Sequence, residues 1–192
     1  METVIQVYSA AREDRGRIRL TRRMSEQEVR FTIENDHELI ASLVQYLKDG
    51  AAGMGICDEG DRVRTGVALQ EALTNACLHG NLEVDSALRE VDHRQYYDLA
   101  RQRMTEAPYA QRRIHVIARY DQNSAEFCIR DEGPGFNRSS LPDPTDPTNI
   151  ERPCGRGLLL MQTFMDEVKY NAAGNEVTMI KRRRVRTQGS ER

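Results

Sequence analysis

The sequence is short of features that mark several functional classes. Its four cysteines (Cys57, Cys77, Cys128 and Cys154) form no Cys-x-x-Cys pair, so each is read as a small buried side chain with a reduced thiol. No apolar run approaches the length needed to cross a bilayer. Met1 to Met24 is rich in Arg and has no apolar stretch of signal-peptide type. Net charge is also nearly absent: 28 Lys and Arg stand against 30 Asp and Glu, a balance of -2. That removes the general electrostatic case for binding nucleic acid or a membrane. Together these absences predict a cytoplasmic protein. The strongest local asymmetry, Lys181-Arg182-Arg183-Arg184-Val185-Arg186, is read as a solvated tail.

What is present is enough for one compact domain: 192 residues, 39% of them apolar. Residues 1–24 are charged and weakly patterned, consistent with a partly disordered segment or an extra strand. Val29 to Ile33 alternates apolar and polar residues, as a half-buried strand does. Asn35 or Asp36 can cap a helix whose apolar positions Leu39, Ile40, Leu43, Val44 and Leu47 follow the helical period, ending at Gly50 and Gly53. A second helix is expected from Asp58 to Leu78, stopped by His79-Gly80-Asn81. Residues 82–112 read as an inserted helix or helical hairpin. Ile114–Tyr120 and Ala125–Ile129 then form a β-hairpin. Residues 133–154 hold five of the six prolines and are expected to be a long mobile loop. A short helix, Gly157–Met165, precedes two last strands, Glu167–Tyr170 and Glu176–Lys181. The order predicts an α+β fold: a two-layer sandwich of a mixed, mostly antiparallel sheet with helices on one face.

Three short segments carry candidate chemistry. In Glu71-Ala72-Leu73-Thr74-Asn75-Ala76-Cys77-Leu78-His79, the residues Glu71, Asn75 and His79 recur every four positions and share one face of an α-helix. A carboxylate and a carboxamide one turn apart suit Mg²⁺ and its waters, although such spacing also marks an ordinary solvated face. Ile129-Arg130-Asp131-Glu132-Gly133-Pro134-Gly135-Phe136 leaves a strand for a Gly-rich turn. There Asp131 can accept from an exocyclic amine such as that of adenine, and glycines let backbone approach a flat base; a plain turn is equally compatible. Arg152-Pro153-Cys154-Gly155-Arg156-Gly157-Leu158 is a Gly-flanked helix start whose free N–H groups favour phosphate oxygens, with or without a ligand.

In this order, with a proline-rich loop between the last two, the segments resemble the N, G1 and G2 boxes of the GHKL ATPases, the superfamily of gyrase, the heat-shock chaperones, histidine kinases and MutL. Glu71 to Asn81, Glu151 to Asp166 and Gly174 to Lys181 look most like the anti-sigma-factor serine kinases. The resemblance spans roughly Val29 to Arg182 apart from the insert. It implies a domain at 26–182 with the insert at 82–112 and an ATP lid at 136–156, between a variable segment 1–25 and a basic tail 183–192. It implies ATP and Mg²⁺ as cofactors, Glu71 as general base and Asn75 as the Mg²⁺ ligand. Asp131 would read the adenine amino group, with Gly133, Gly135 and Phe136 shaping the base pocket and His79 alongside. Gly155, Arg156, Gly157 and Leu158 would cradle phosphates, and Arg152 would face the γ-phosphate or the partner. Asn175 stands where the family often has Thr near the adenine.

The implied activity is a serine/threonine protein kinase that phosphorylates a small antagonist protein and regulates a sigma factor, with homodimerisation a further family habit. An ATP-sensing regulator with little or no kinase activity is the alternative, motivated by the insert, Asn175 and the basic tail. The ATP-binding module of a histidine kinase fits less well. Only 34 residues separate His37 from Glu71, too few for a dimerisation hairpin plus a strand.

Overall fold

The elements follow one another as β1 (Glu26–Ile33), α1 (His37–Gly53), α2 (Glu59–Asn75), a π-helical turn (Ala76–Asn81), α3 (Ser86–Val91), α4 (His93–Arg103), a 3-10 turn (Tyr109–Gln111), β2 (Ile114–Asp121), β3 (Ser124–Arg130), α5 (Arg156–Phe164), β4 (Glu167–Tyr170) and β5 (Glu176–Arg182). This computed structural model describes residues 16, 19–21, 23–136 and 156–184. Arg152, Gly155, most of the lid and most of the basic tail lie outside them. The five strands are ordered β1-β2-β3-β5-β4, and every pairing is antiparallel. The expected mixture therefore contains no parallel pair among the described residues. Gly16 and Arg19–Thr21 are helical rather than part of an extra strand.

Alternation in the strands places Ile114, Val116, Ala118 and Tyr120 of β2, and Ala125, Phe127 and Ile129 of β3, on one buried face. That face packs against Ile40, Leu43, Val44 and Leu47 of α1 and Ala68, Leu69, Ala72 and Leu73 of α2 in a single apolar core. Asp36 caps α1 by accepting from the amides of Glu38 and Leu39, and Asp58 caps α2 by accepting from Asp61. Gly50 does not end α1, because the helix runs on to Gly53. It is instead where the sheet comes closest: a Cβ there would stand 2.9 Å from the Tyr120 hydroxyl, which donates to the Leu47 carbonyl at 3.1 Å. No helix among the described residues is long and apolar enough to cross a membrane.

Three further expectations fail for identifiable reasons. The second helix does not stop at His79. It widens into the π turn, where the Leu82 amide reaches back to the Cys77 carbonyl at 2.9 Å. Lys181 is not in a solvated tail but 2% exposed on the core face of β5, where its Nζ lies 3.2 Å from Asp61 Oδ1 and donates to the Phe164 carbonyl. Cys57 and Cys77 are buried, whereas Cys128 is only half-buried because it points from β3 to the other side of the sheet. Burial pushes the Cys77 thiol up to about 12, so it is inert.

Candidate functional site

The candidate residues of α2 meet the first turn of α5. Glu71 and Asn75 are one helical turn apart and both half-buried. A Cβ added to Gly157 would lie 2.6 Å from Glu71 Oε2 and 3.6 Å from Asn75 Nδ2. Gly157 is therefore what lets the α5 N-terminus sit directly on these two side chains. A helix start presents unpaired N–H groups and the positive end of its dipole, which attract anionic oxygens. Leu158, the next residue, is partly buried against the core and fixes the helix there, while Arg156 is exposed at its first position.

The second half of the site is a cradle of close backbone contacts. A Cβ on Gly80 would overlap the Asp131 carboxyl, and one on Gly133 would overlap the Gly80 carbonyl. Gly135 (φ 75°) and Gly174 (φ 79°) are both left-handed, and each would collide with the opposite loop if it carried a side chain. The Asp131–Phe136 loop is thus pressed between the π turn and the β4–β5 turn. Asp131 is 9% exposed and its Oδ1 accepts from the Gly133 amide at 2.9 Å. Burial raises its carboxyl to about 6, against the opposing pull of those backbone donors and, more weakly, of the Arg112 charge. The result is a shielded acceptor with remaining capacity beside glycine-lined backbone, which suits the edge of a flat base.

Asn175 belongs to the frame of this cradle. Its carbonyl accepts from the Asp131 amide at 3.0 Å, its Nδ2 donates to the Asp131 carbonyl at 3.3 Å, and its Oδ1 accepts from Asn171 at 2.8 Å. Phe136 closes the loop with an edge-on contact to Tyr170, ring centres 5.4 Å apart. His79 departs from the face it was expected to share. Its Nδ1 bonds the Val84 carbonyl at 2.7 Å and its ring faces Tyr96, 6.4 Å away, because the π turn shifts the register after Asn75.

A family model described as the histidine kinase-like ATPase domain matches residues 33–181. The chain belongs to that family. The match runs from the end of β1 to β5 and so takes in both halves of the site within this ATPase domain. No curated protein matches the chain. Among solved structures, one similar chain is that in the crystal structure of the RsbU and RsbW domains of Rv1364c from Mycobacterium tuberculosis, at 14% identity and a TM-score of 0.47. The alignment covers 82% of the present chain and 32% of the other, so the ATPase domain described here spans about a third of that chain's length.

The residues brought together in the ATPase domain fit the nucleotide of its family in kind: an acceptor in a Cβ-free cradle at one end, and a carboxylate, a carboxamide and a helix start at the other. Asn81, expected as part of a helix stop and as the end of the family-like stretch from Glu71, has a place in the site that the sequence reading did not assign. It is fully buried at the end of the π turn, and its Oδ1 accepts from the Glu132 amide at 2.8 Å. Its visible sign was its place at the end of that stretch, directly before the apolar Leu82.

Proposed function

We propose that this ATPase domain is a serine/threonine protein kinase of the anti-sigma-factor type, which transfers the γ-phosphoryl group of ATP to a small antagonist protein and so regulates a sigma factor or related partner. The observation that supports it most is the seating of Glu71 and Asn75 against the first turn of α5 at Gly157. In this reading Glu71 takes the proton of the substrate hydroxyl as that oxygen bonds to the γ-phosphorus and ADP leaves. Asn75 would hold Mg²⁺, which would supply positive charge to offset that of the phosphates. Among the described residues no group of three or more His, Cys, Asp or Glu is placed to hold a metal. Asp131 accepts from the adenine amine. Gly133, Gly135 and Phe136 shape the base pocket, with Asn175 holding it. Arg156, Gly157 and Leu158 receive phosphate oxygens at the α5 start, joined by Arg152 and Gly155. His79 is left out of the set, because it bonds Val84 and faces Tyr96 of the insert.

The test is co-purification of whatever binds the protein in its native cell, followed by incubation with labelled ATP and Mg²⁺ and phosphosite mapping. A phosphorylated Ser or Thr on the captured protein is expected. Glu71→Gln should slow transfer by about 10²–10⁴-fold with ATP affinity nearly unchanged. Capture of a partner with no phosphoprotein formed by wild type would sink the kinase reading. It would favour the second one, an ATP-sensing capture module, whose motive is the helical insert fixed beside the base pocket.

A further inference from the structure

The insert reaches the base pocket through one buried side chain. Besides accepting from the Glu132 amide, Asn81 donates through Nδ2 to Asn35 Oδ1 at 2.8 Å, and its carbonyl accepts from Arg112 Nη1 at 2.7 Å. The same Nη1 lies 2.7 Å from Glu83 Oε1. From the insert's longer helix, Arg103 Nη1 donates to the carbonyls of Leu82 and Glu83, each at 2.7 Å. Both guanidinium groups lie over the ring of Tyr109, at 4.7 Å for Arg103 and 5.2 Å for Arg112. The first and last residues of the insert are thereby clamped to each other. Glu83 sits inside the clamp with φ 50°, a conformation that a non-glycine residue rarely adopts and that these bonds hold in place.

We infer that Arg112 is a positioning residue for base recognition: it holds the Asn81 carbonyl, Asn81 holds the Glu132 amide, and that amide sets where the neighbouring Asp131 carboxyl meets the base. This rests on the reading of Asp131 as the adenine acceptor. The path holds two hydrogen bonds and is mostly withdrawn from water, where a hydrogen bond to a charged donor is worth more than at the surface. Nothing in it touches Glu71, Asn75 or the α5 start. Arg112 therefore governs the base and not the phosphates. Adenine offers an exocyclic amine to a carboxylate, whereas guanine offers a carbonyl at the same position, which a carboxylate repels. A displaced Asp131 loses that discrimination before it loses anything else. The insert, which interrupts the resemblance to related domains, thus becomes part of the nucleotide site.

The experiment measures equilibrium binding of ATP, GTP and tripolyphosphate, each with Mg²⁺, to the full chain. The wild type is compared with Arg112→Met, which keeps the aliphatic stem, and Arg112→Lys, which keeps the charge. Arg112→Met should bind ATP about tenfold more weakly, lose its ATP-over-GTP preference by a similar factor and bind tripolyphosphate as wild type does. Arg112→Lys should recover part of the preference, since one ammonium can still reach the Asn81 carbonyl. Parallel weakening of ATP and tripolyphosphate, or no change in either, would overturn the inference while leaving the function reading standing. If Arg112→Met does not fold by circular dichroism, Arg112→Leu takes its place, and an ATP preference equal to wild type overturns the positioning role. A wild type that binds tripolyphosphate but shows no preference for ATP defeats the Asp131 reading, and the role of Arg112 falls with it.

Discussion

Among the described residues two aspartates are shielded from water, Asp61 at 1% exposure and Asp131 at 9%, and the fold treats them in opposite ways. Asp61, near the start of α2, is surrounded by cations: Lys181 Nζ at 3.2 Å, Arg64 Nη1 at 3.3 Å and Arg184 Nε at 3.5 Å. Asp131, at the mouth of the glycine cradle, accepts from backbone amides and has no ion pair among the described residues. The first arrangement ties β5 to α2 and leaves little for a ligand to complete. The second leaves a carboxylate whose burial is uncompensated until a donor arrives. The partners of a buried carboxylate, rather than its burial, thus distinguish a joint from a receptor.

The contrast can be broken or sharpened in several ways. Removing the buried cation by Lys181→Met should cost about 3–5 kcal/mol of unfolding free energy in a denaturant titration, because Asp61 is left charged and dry. Adding Asp61→Asn to that variant should return most of the loss. If the single variant costs almost nothing, Arg64 and Arg184 suffice and the pair is no joint.

Asp131→Asn should act in the other direction. Below about pH 4 the carboxyl is protonated in both folded and unfolded chains and contributes nothing. Above its folded value of about 6, the folded chain carries a desolvated charge that the unfolded chain bears without penalty. The substitution should therefore stabilise by up to about 3 kcal/mol at pH 8, with the gain fading towards pH 4, while ATP affinity drops. Equal melting temperatures of the two proteins at pH 8 would remove the contrast with Asp61. Gly80→Ala, which drives a methyl group into the Asp131 carboxyl, should destabilise by about 1–3 kcal/mol and weaken ATP binding in parallel. Mildest of all, ATP affinity of the wild type should rise about tenfold from pH 5 to pH 7, as the Asp131 acceptor ionises. A flat profile in calorimetric titrations would show that the base is read elsewhere.

Much of this was legible in the sequence where the governing interactions are local. Period-2 alternation found β2 and β3 to within a residue at each end, and Asp36 and Asp58 marked the helix starts through side chains that bond amides two or three residues on. Glu71 and Asn75 share a face because four-residue spacing guarantees it within an α-helix. Where partners are distant in sequence, pattern gave no warning. Lys181 looked solvated within a basic run because its partner, Asp61, lies 120 positions earlier. Gly50 looked like a helix stop because the ring that requires it, Tyr120, belongs to another element. His79 was placed beside Asn75 on the assumption of an unbroken α-helix, and the π turn between them has no single-residue signature. Asn81 and Arg112 escaped notice because their roles exist only once the insert has folded back on the pocket.

That π turn has a consequence for how such a chain can change length. A π turn holds one residue more than the α-helix it interrupts. Were the turn to wind as a regular α-helix at its present length, each later position would be rotated by roughly 100° about the axis. Asn81 would then turn away from Glu132, and the cradle would lose its anchor without losing a single contact residue. Directly after Asn81, by contrast, the chain accommodates the 31 residues of 82–112 between α2 and β2. The π turn thus absorbs one residue of chain before Asn81, and the insert absorbs many after it.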